Sequence, residues 1–175
     1  MRYLNFRHLL AGLIMAVIAS TSPVLAGSHP DFTGTWVLDL DASESVEPLL
    51  AAQGRSWVER KAANSVVITQ VVTQTEETIT LDVTSVATNR HDELKPGTGW
   101  QPSKTDRAES AKTRVLWSED GQSLITETLM TFEGGEQATM KTTRSMTTDG
   151  QTTYMLLEFI KGGVHERSKR VLRKQ

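Results

Sequence analysis

Arg144 and Arg170 are the residues whose placement points most directly to chemistry. In Gln137–Met146, Ala138, Met140, Thr142, Arg144 and Met146 share one parity, while Gln137, Thr139, Lys141, Thr143 and Ser145 share the other. In Val164–Leu172, the less basic parity holds Val164, Glu166, Ser168, Arg170 and Leu172. Side chains of an extended chain alternate between faces, so both arginines and Glu166 are expected on the interior face. An interior guanidinium is costly unless paired. A ligand carboxylate or phosphate would pair it in a fork-to-fork geometry. So would Glu166, as an internal bridge to Arg144 that needs no ligand. Met130, Met140, Met146 and Met155 fit either a soft, adaptable cavity wall or plain core filling. The candidate ligand-binding set is therefore Arg144, Arg170, Met140, Met146, Glu166 and Leu172.

Other chemistries find little support. The chain has no Cys, which removes thiolate metal sites and Cys nucleophiles. His91 lies in a polar stretch with Asp92 and Glu93, and His165 takes the outward parity of its strand. No nucleophile elbow, HExxH or phosphate-binding loop occurs, and the spacing of Ser, His and carboxylates recommends no triad. No catalytic residue, metal or cofactor is expected. A formal net charge of −2, with mixed signs throughout, gives no footing for nucleic acid.

The elements that must position these residues are mostly strands. Asp31–Leu40 alternates, with Phe32, Gly34, Trp36, Leu38 and Leu40 on one parity. A Gly between two large aromatics on one face lets a neighbour approach closely. Trp36 is expected to anchor the core. Asp41-Ala42-Ser43-Glu44 and Ser56-Trp57-Val58-Glu59 both fit the capping box, predicting short helices over Ser43–Gln53 and Trp57–Ala63 with a turn at Gly54-Arg55. Pro48 is tolerable only near the first turn. Strands follow at Val66–Thr73 and Thr78–Val86. Asn89–Arg107, with Pro96, Gly97, Gly99 and Pro102, reads as a loop or as two irregular edge strands around one, with Trp100 as a plug. Lys112–Trp117, Ser123–Phe132, Gln137–Met146, Thr152–Phe159 and Val164–Leu172 are separated by Asp-Gly and Gly-Gly turns, the pattern of an antiparallel meander. A meander of this length is expected to close into a barrel and so remove its edges.

Met1–Ala26 reads as a secretory signal peptide, with Arg2 and Arg7 before an apolar run over Leu9–Ser20 and small residues at Val24-Leu25-Ala26. The run is short for a membrane span. The expected mature chain, 27–175, is one domain without an integral membrane span, periplasmic or secreted.

The ordered set of motifs resembles the fatty-acid-binding proteins, which with the lipocalins form the calycin group. Phe32-x-Gly34-x-Trp36 looks like the family's opening motif. Leu50-x-x-x-Gly54 and Arg60-Lys61 fall where its two helices sit, and Trp117 to Gly121, Arg144 before Asp149-Gly150, and Arg170-Val171-Leu172-Arg173-Lys174 resemble its later strands and tail. Where the family closes its carboxylate site with a Tyr two residues after the last Arg, this chain has Leu172. The resemblance implies an all-β, antiparallel up-and-down calycin-like barrel of eight to ten strands, with a two-helix lid after the first strand. It also implies non-catalytic binding of a fatty-acid-like ligand with an anionic head, Arg144 matching the family's buried Arg. By likeness to lipocalins, Arg170 would instead stack on Trp36 and close the barrel base. A filled barrel with a structural or protein-interaction role is the alternative to ligand binding, and an enzyme using the cavity is a third.

Overall fold

Strand β1 (Gly34–Asp39) is the seam of the molecule. The computed structural model describes residues 29–105 and 108–175; the expected signal peptide lies outside the described residues. After β1 come two short helices, α1 (Glu47–Ala52) and α2 (Trp57–Ser65). Nine strands follow: β2 (Thr69–Gln74), β3 (Ile79–Thr84), β4 (Asn89–Leu94), β5 (Gln101–Ser103), β6 (Ser110–Trp117), β7 (Leu124–Thr131), β8 (Gln137–Met146), β9 (Thr152–Lys161) and β10 (Val164–Lys174). They form one antiparallel up-and-down sheet in the order β4-β3-β2-β1-β10-β9-β8-β7-β6-β5. The first strand thus pairs with both the second and the last, curling the sheet into a barrel.

Why β1 can take that place is legible in its side chains. Trp36 is fully buried and Leu38 nearly so, both in a cluster with Phe32, Val72, Ile79, Leu124 and Leu172. The indole N–H, which must be satisfied when buried, donates to the Phe32 carbonyl at 2.8 Å. Gly34 takes φ +143°, and a Cβ there would lie 2.7 Å from Lys174 Cε. Lys174 uses this space to set its ammonium 5.4 Å from the centre of the Trp36 ring. Below the sheet, the segment before β1 closes the barrel end: His29 stacks on Trp117 at 4.0 Å between ring centres, and Phe32 N–H donates to Gln74 Oε1.

Three expectations are corrected here. The first concerns the Asp41–Glu44 capping box, which does not form; α1 starts later, at Glu47 with Pro48 in its first turn. β1 leaves β10 after Asp39↔Val171, and the next donors of β10 need acceptors. Ser43 Oγ accepts from Val171 N–H at 2.9 Å and Glu44 Oε2 from Lys169 N–H at 2.8 Å, so the expected first helical residue and the Glu of the box extend the sheet instead. The second correction is that closure does not remove both edges. Asn89–Arg107 supplies β4 and β5, the two-strand alternative, but these end the sheet and do not pair with each other; their connection is tied to β6 by Gly97 N–H donating to the Val115 carbonyl at 2.9 Å. The third is Trp100. It is no plug but is 38% exposed on the outer surface, with the Arg114 guanidinium 4.6 Å from its ring centre and the Lys112 ammonium at 5.3 Å.

Candidate functional site

The second helix forms as its sequence dictates. Ser56 Oγ accepts from Glu59 N–H, and Glu59 Oε2 accepts from Ser56 N–H at 2.7 Å, completing the capping box. No residue of α2 is fully buried. It is held instead to the segment before it and to α1: Asn64 Oδ1 accepts from Val46 N–H at 3.1 Å, and Lys61 pairs with Glu47 at 3.0 Å. α1 sinks Leu49 beside Ala138 and Phe159 of the sheet. The pair therefore roofs the barrel without filling it.

Under that roof lies a cavity of about 760 Å³. Its apolar wall includes Leu38, Leu49, Ile68, Met155, Leu157 and Leu172, and it opens between α2 and the β3–β4 turn, where Ser85, Ala87 and Thr88 line it. Gln53 and Met140 separate it from a smaller chamber of about 240 Å³ lined by Met130, Phe132 and Phe159; Gln53 Nε2 lies 3.8 Å from Met140 Sδ.

Of the residues singled out in the sequence, Arg170, Met140 and Leu172 line the large cavity. Arg170 does not stack on Trp36, whose ring carries Lys174. Its Nη1 donates to the Glu44 carbonyl at 2.6 Å, fastening the linker between β1 and α1 to the sheet, and burial pulls its pKa below the ordinary guanidinium range. Met146 packs against the floor cluster and does not line the cavity. Glu166 pairs in register with the buried Phe159, which puts it on the inner face, half-buried. It makes no ion pair with Arg144, so the internal bridge is absent.

Arg144 sits deeper, 4% exposed, between the floor and the cavity. Its Cζ lies 5.9 Å from the centre of the Phe32 ring. Nη2 donates to Gln70 Oε1 at 2.5 Å and lies 3.3 Å from Met155 Sδ. Nη1 is buried with no hydrogen-bond partner among the described residues. Desolvation pushes the Arg144 pKa down to about 10, which leaves the side chain charged at neutral pH. A buried cation whose polar contacts are neutral, with one N–H unmet, is an acceptor-hungry site. Sequence reasoning missed Gln70. The signal was there: Gln70 shares parity with Ile68, which precedes β2, and with Val72, and so stands between two apolar residues on the inward face.

Other polar clusters are less promising. Among the described residues no group of three or more His, Asp or Glu side chains stands close enough to hold a metal ion. Nor does any helix there have the length and apolarity to cross a membrane.

A ten-stranded up-and-down barrel roofed by two helices after its first strand is a fatty-acid-binding-protein-like fold. The chain is similar in structure to the REP1-NXSQ fatty acid transporter, with TM-score 0.63 at 17% identity, covering 82% of this chain and 95% of that one. A tyrosine-to-phenylalanine mutant of that transporter matches with the same TM-score and identity. A fatty-acid-binding protein from brain tissue of Drosophila melanogaster matches with TM-score 0.58 at 24% identity, covering 81% of this chain and 98% of that one. At such identities the likeness establishes the fold. No family model matches the chain, and no curated protein does.

Proposed function

We propose that this protein is a non-catalytic carrier of a small amphipathic molecule, an acyl chain with an anionic head. The chain would occupy the cavity under the helices and the head would reach Arg144. The observation that carries this reading is the buried Arg144 guanidinium, beside an apolar cavity, with neutral polar partners and an unmet N–H. The cavity volume lies within the range usual for small-molecule sites, lined by apolar groups with a few polar ones for orientation. The solved proteins of the same fold include a fatty acid transporter and a fatty-acid-binding protein, which supports the same ligand class. With the reading of Met1–Ala26 as a signal peptide, the carrier would work outside the cytoplasm.

The test is native mass spectrometry of protein purified from its own host, followed by titration of the delipidated protein with a saturated fatty acid. Co-purified lipid and stoichiometric uptake are expected. An apo mass together with no uptake of the acid would overturn the proposal and favour a filled barrel with an interaction role.

A further inference from the structure

Arg144, Gln70 and Met155 form a unit that the carrier reading does not by itself explain. Gln70 is 4% exposed, and it spends its carbonyl oxygen on Arg144 Nη2. Its amide Nε2 lies 3.7 Å from Met155 Sδ, the same sulfur that stands 3.3 Å from Arg144 Nη2. Two buried donors therefore converge on one thioether. A thioether sulfur is a weak acceptor, and a methionine side chain is flexible and easily rearranged. Met155 lines the cavity, whereas Arg144 and Gln70 lie behind it.

The charge count is equally informative. The residue facing Arg144 from β2 is an amide, where a carboxylate of nearly the same size would have neutralised the cation. Glu166, on the same inner face, does not supply the missing charge. In a low-dielectric interior an uncompensated cation discriminates strongly between an anion and a neutral group of equal size.

Building on the carrier reading, we propose that this floor is a covered anion site. In it the Met155 thioether holds the place of a ligand's anionic oxygen, and Gln70 is the positioning residue that makes the site select anions by orienting Arg144 while leaving its charge uncompensated. On binding, the ligand oxygen displaces the sulfur and takes the donors of Arg144 and Gln70, exchanging a weak acceptor for a strong one. Gln70 thus sets the class of head group the cavity accepts, and Met155 keeps the site covered until a stronger acceptor arrives.

The experiment titrates the delipidated protein with a saturated fatty acid and with its matched primary alcohol, and reads the ratio of the two affinities. In the wild type the acid is expected to be favoured by about ten- to hundredfold, the value of a hydrogen bond to a charged group. Gln70→Glu places a carboxylate on Arg144 and should collapse that ratio to near one while sparing the alcohol. Gln70→Met keeps the volume but removes both the oxygen that orients Arg144 and the amide donor, and should lower the ratio, though less than Gln70→Glu, again sparing the alcohol, so the idea stays testable even where one variant folds poorly. Met155→Leu removes the competing sulfur and should tighten the acid alone. A wild type that prefers the acid, with a ratio indifferent to residue 70, would overturn this inference and leave the carrier reading standing. A wild type that takes up neither ligand would overturn both.

Discussion

The barrel treats its two inward arginines, which flank Met155 in register on neighbouring strands, in opposite ways. On β10, Arg170 is spent on structure: its guanidinium holds the Glu44 carbonyl and fixes the linker that leads into the lid. On β8, Arg144 rests above the Phe32 ring with an amide and a thioether for company and one N–H unmet. The surroundings differ in the same sense. Around Phe32 and Trp36 the floor is packed tight, whereas beneath α1 and α2 there is open volume. A packed end can hold a charged side chain in one geometry, and an open end can admit something to meet it. The lesson is that inward parity alone does not assign function; what remains unpaired after folding does.

The most damaging way to break the comparison is at the packed end. Trp36→Ala should cost about 3–5 kcal/mol of unfolding free energy, the range for emptying a large aromatic site, measured by denaturant titration. A loss under about 1 kcal/mol, well below that range, would mean that the floor is not the anchor. Next comes the arginine itself. Arg144→Met keeps much of the volume and should weaken fatty-acid binding by about 1.5–3 kcal/mol, the range for a hydrogen bond to a charged group, while barely changing affinity for the matched alcohol. Arg170→Met should do the reverse, lowering thermal stability and loosening the lid while leaving the acid-to-alcohol ratio alone.

Smaller effects sharpen the contrast at the lid. Ser56→Ala removes the α2 cap and should cost about 1 kcal/mol, felt as faster hydrogen exchange in 56–65 and faster ligand release, with the floor strands unchanged. The smallest effect is electrostatic. The Asp82 side chain, hydrogen-bonded to His91 at 2.6 Å, raises the His91 pKa above its ordinary 6.5. The folded state therefore holds this proton more tightly than the unfolded chain. The added stability is full below 6.5 and fades as pH climbs through the raised value. An NMR titration of His91 should give a midpoint above 6.5, returning toward it in Asp82→Asn.

Much of this was readable in the residues, and the failures have physical causes. Strand β8 emerges with the bounds its alternation gave, Gln137–Met146, because one face is buried and the register of a half-buried strand is strongly specified. Ser56-x-x-Glu59 made its cap because both partners sit within one turn of the chain: Glu59 Oε2 accepts from Ser56 N–H while its Oε1 lies 3.4 Å from Arg55 Nη1. Asp41-x-x-Glu44 did not, because β10 runs past the end of β1 and recruited Ser43 and Glu44 for its free N–H groups, a demand that exists only once the barrel has closed. Arg144 was placed on the correct face by parity, but its partner was not. Gln70 lies 74 residues away in the chain, and no local pattern joins β2 to β8 across the barrel interior.

The central claim is that the anionic head of an amphipathic ligand meets Arg144 at the floor. It is tested most directly by a crystal structure of the delipidated protein with a saturated fatty acid bound. The account predicts the carboxylate within hydrogen-bond distance of Arg144 and Gln70, with the Met155 sulfur displaced and the acyl chain rising toward α2. A carboxylate at the cavity mouth near the helices, with Arg144, Gln70 and Met155 still in mutual contact, would contradict it.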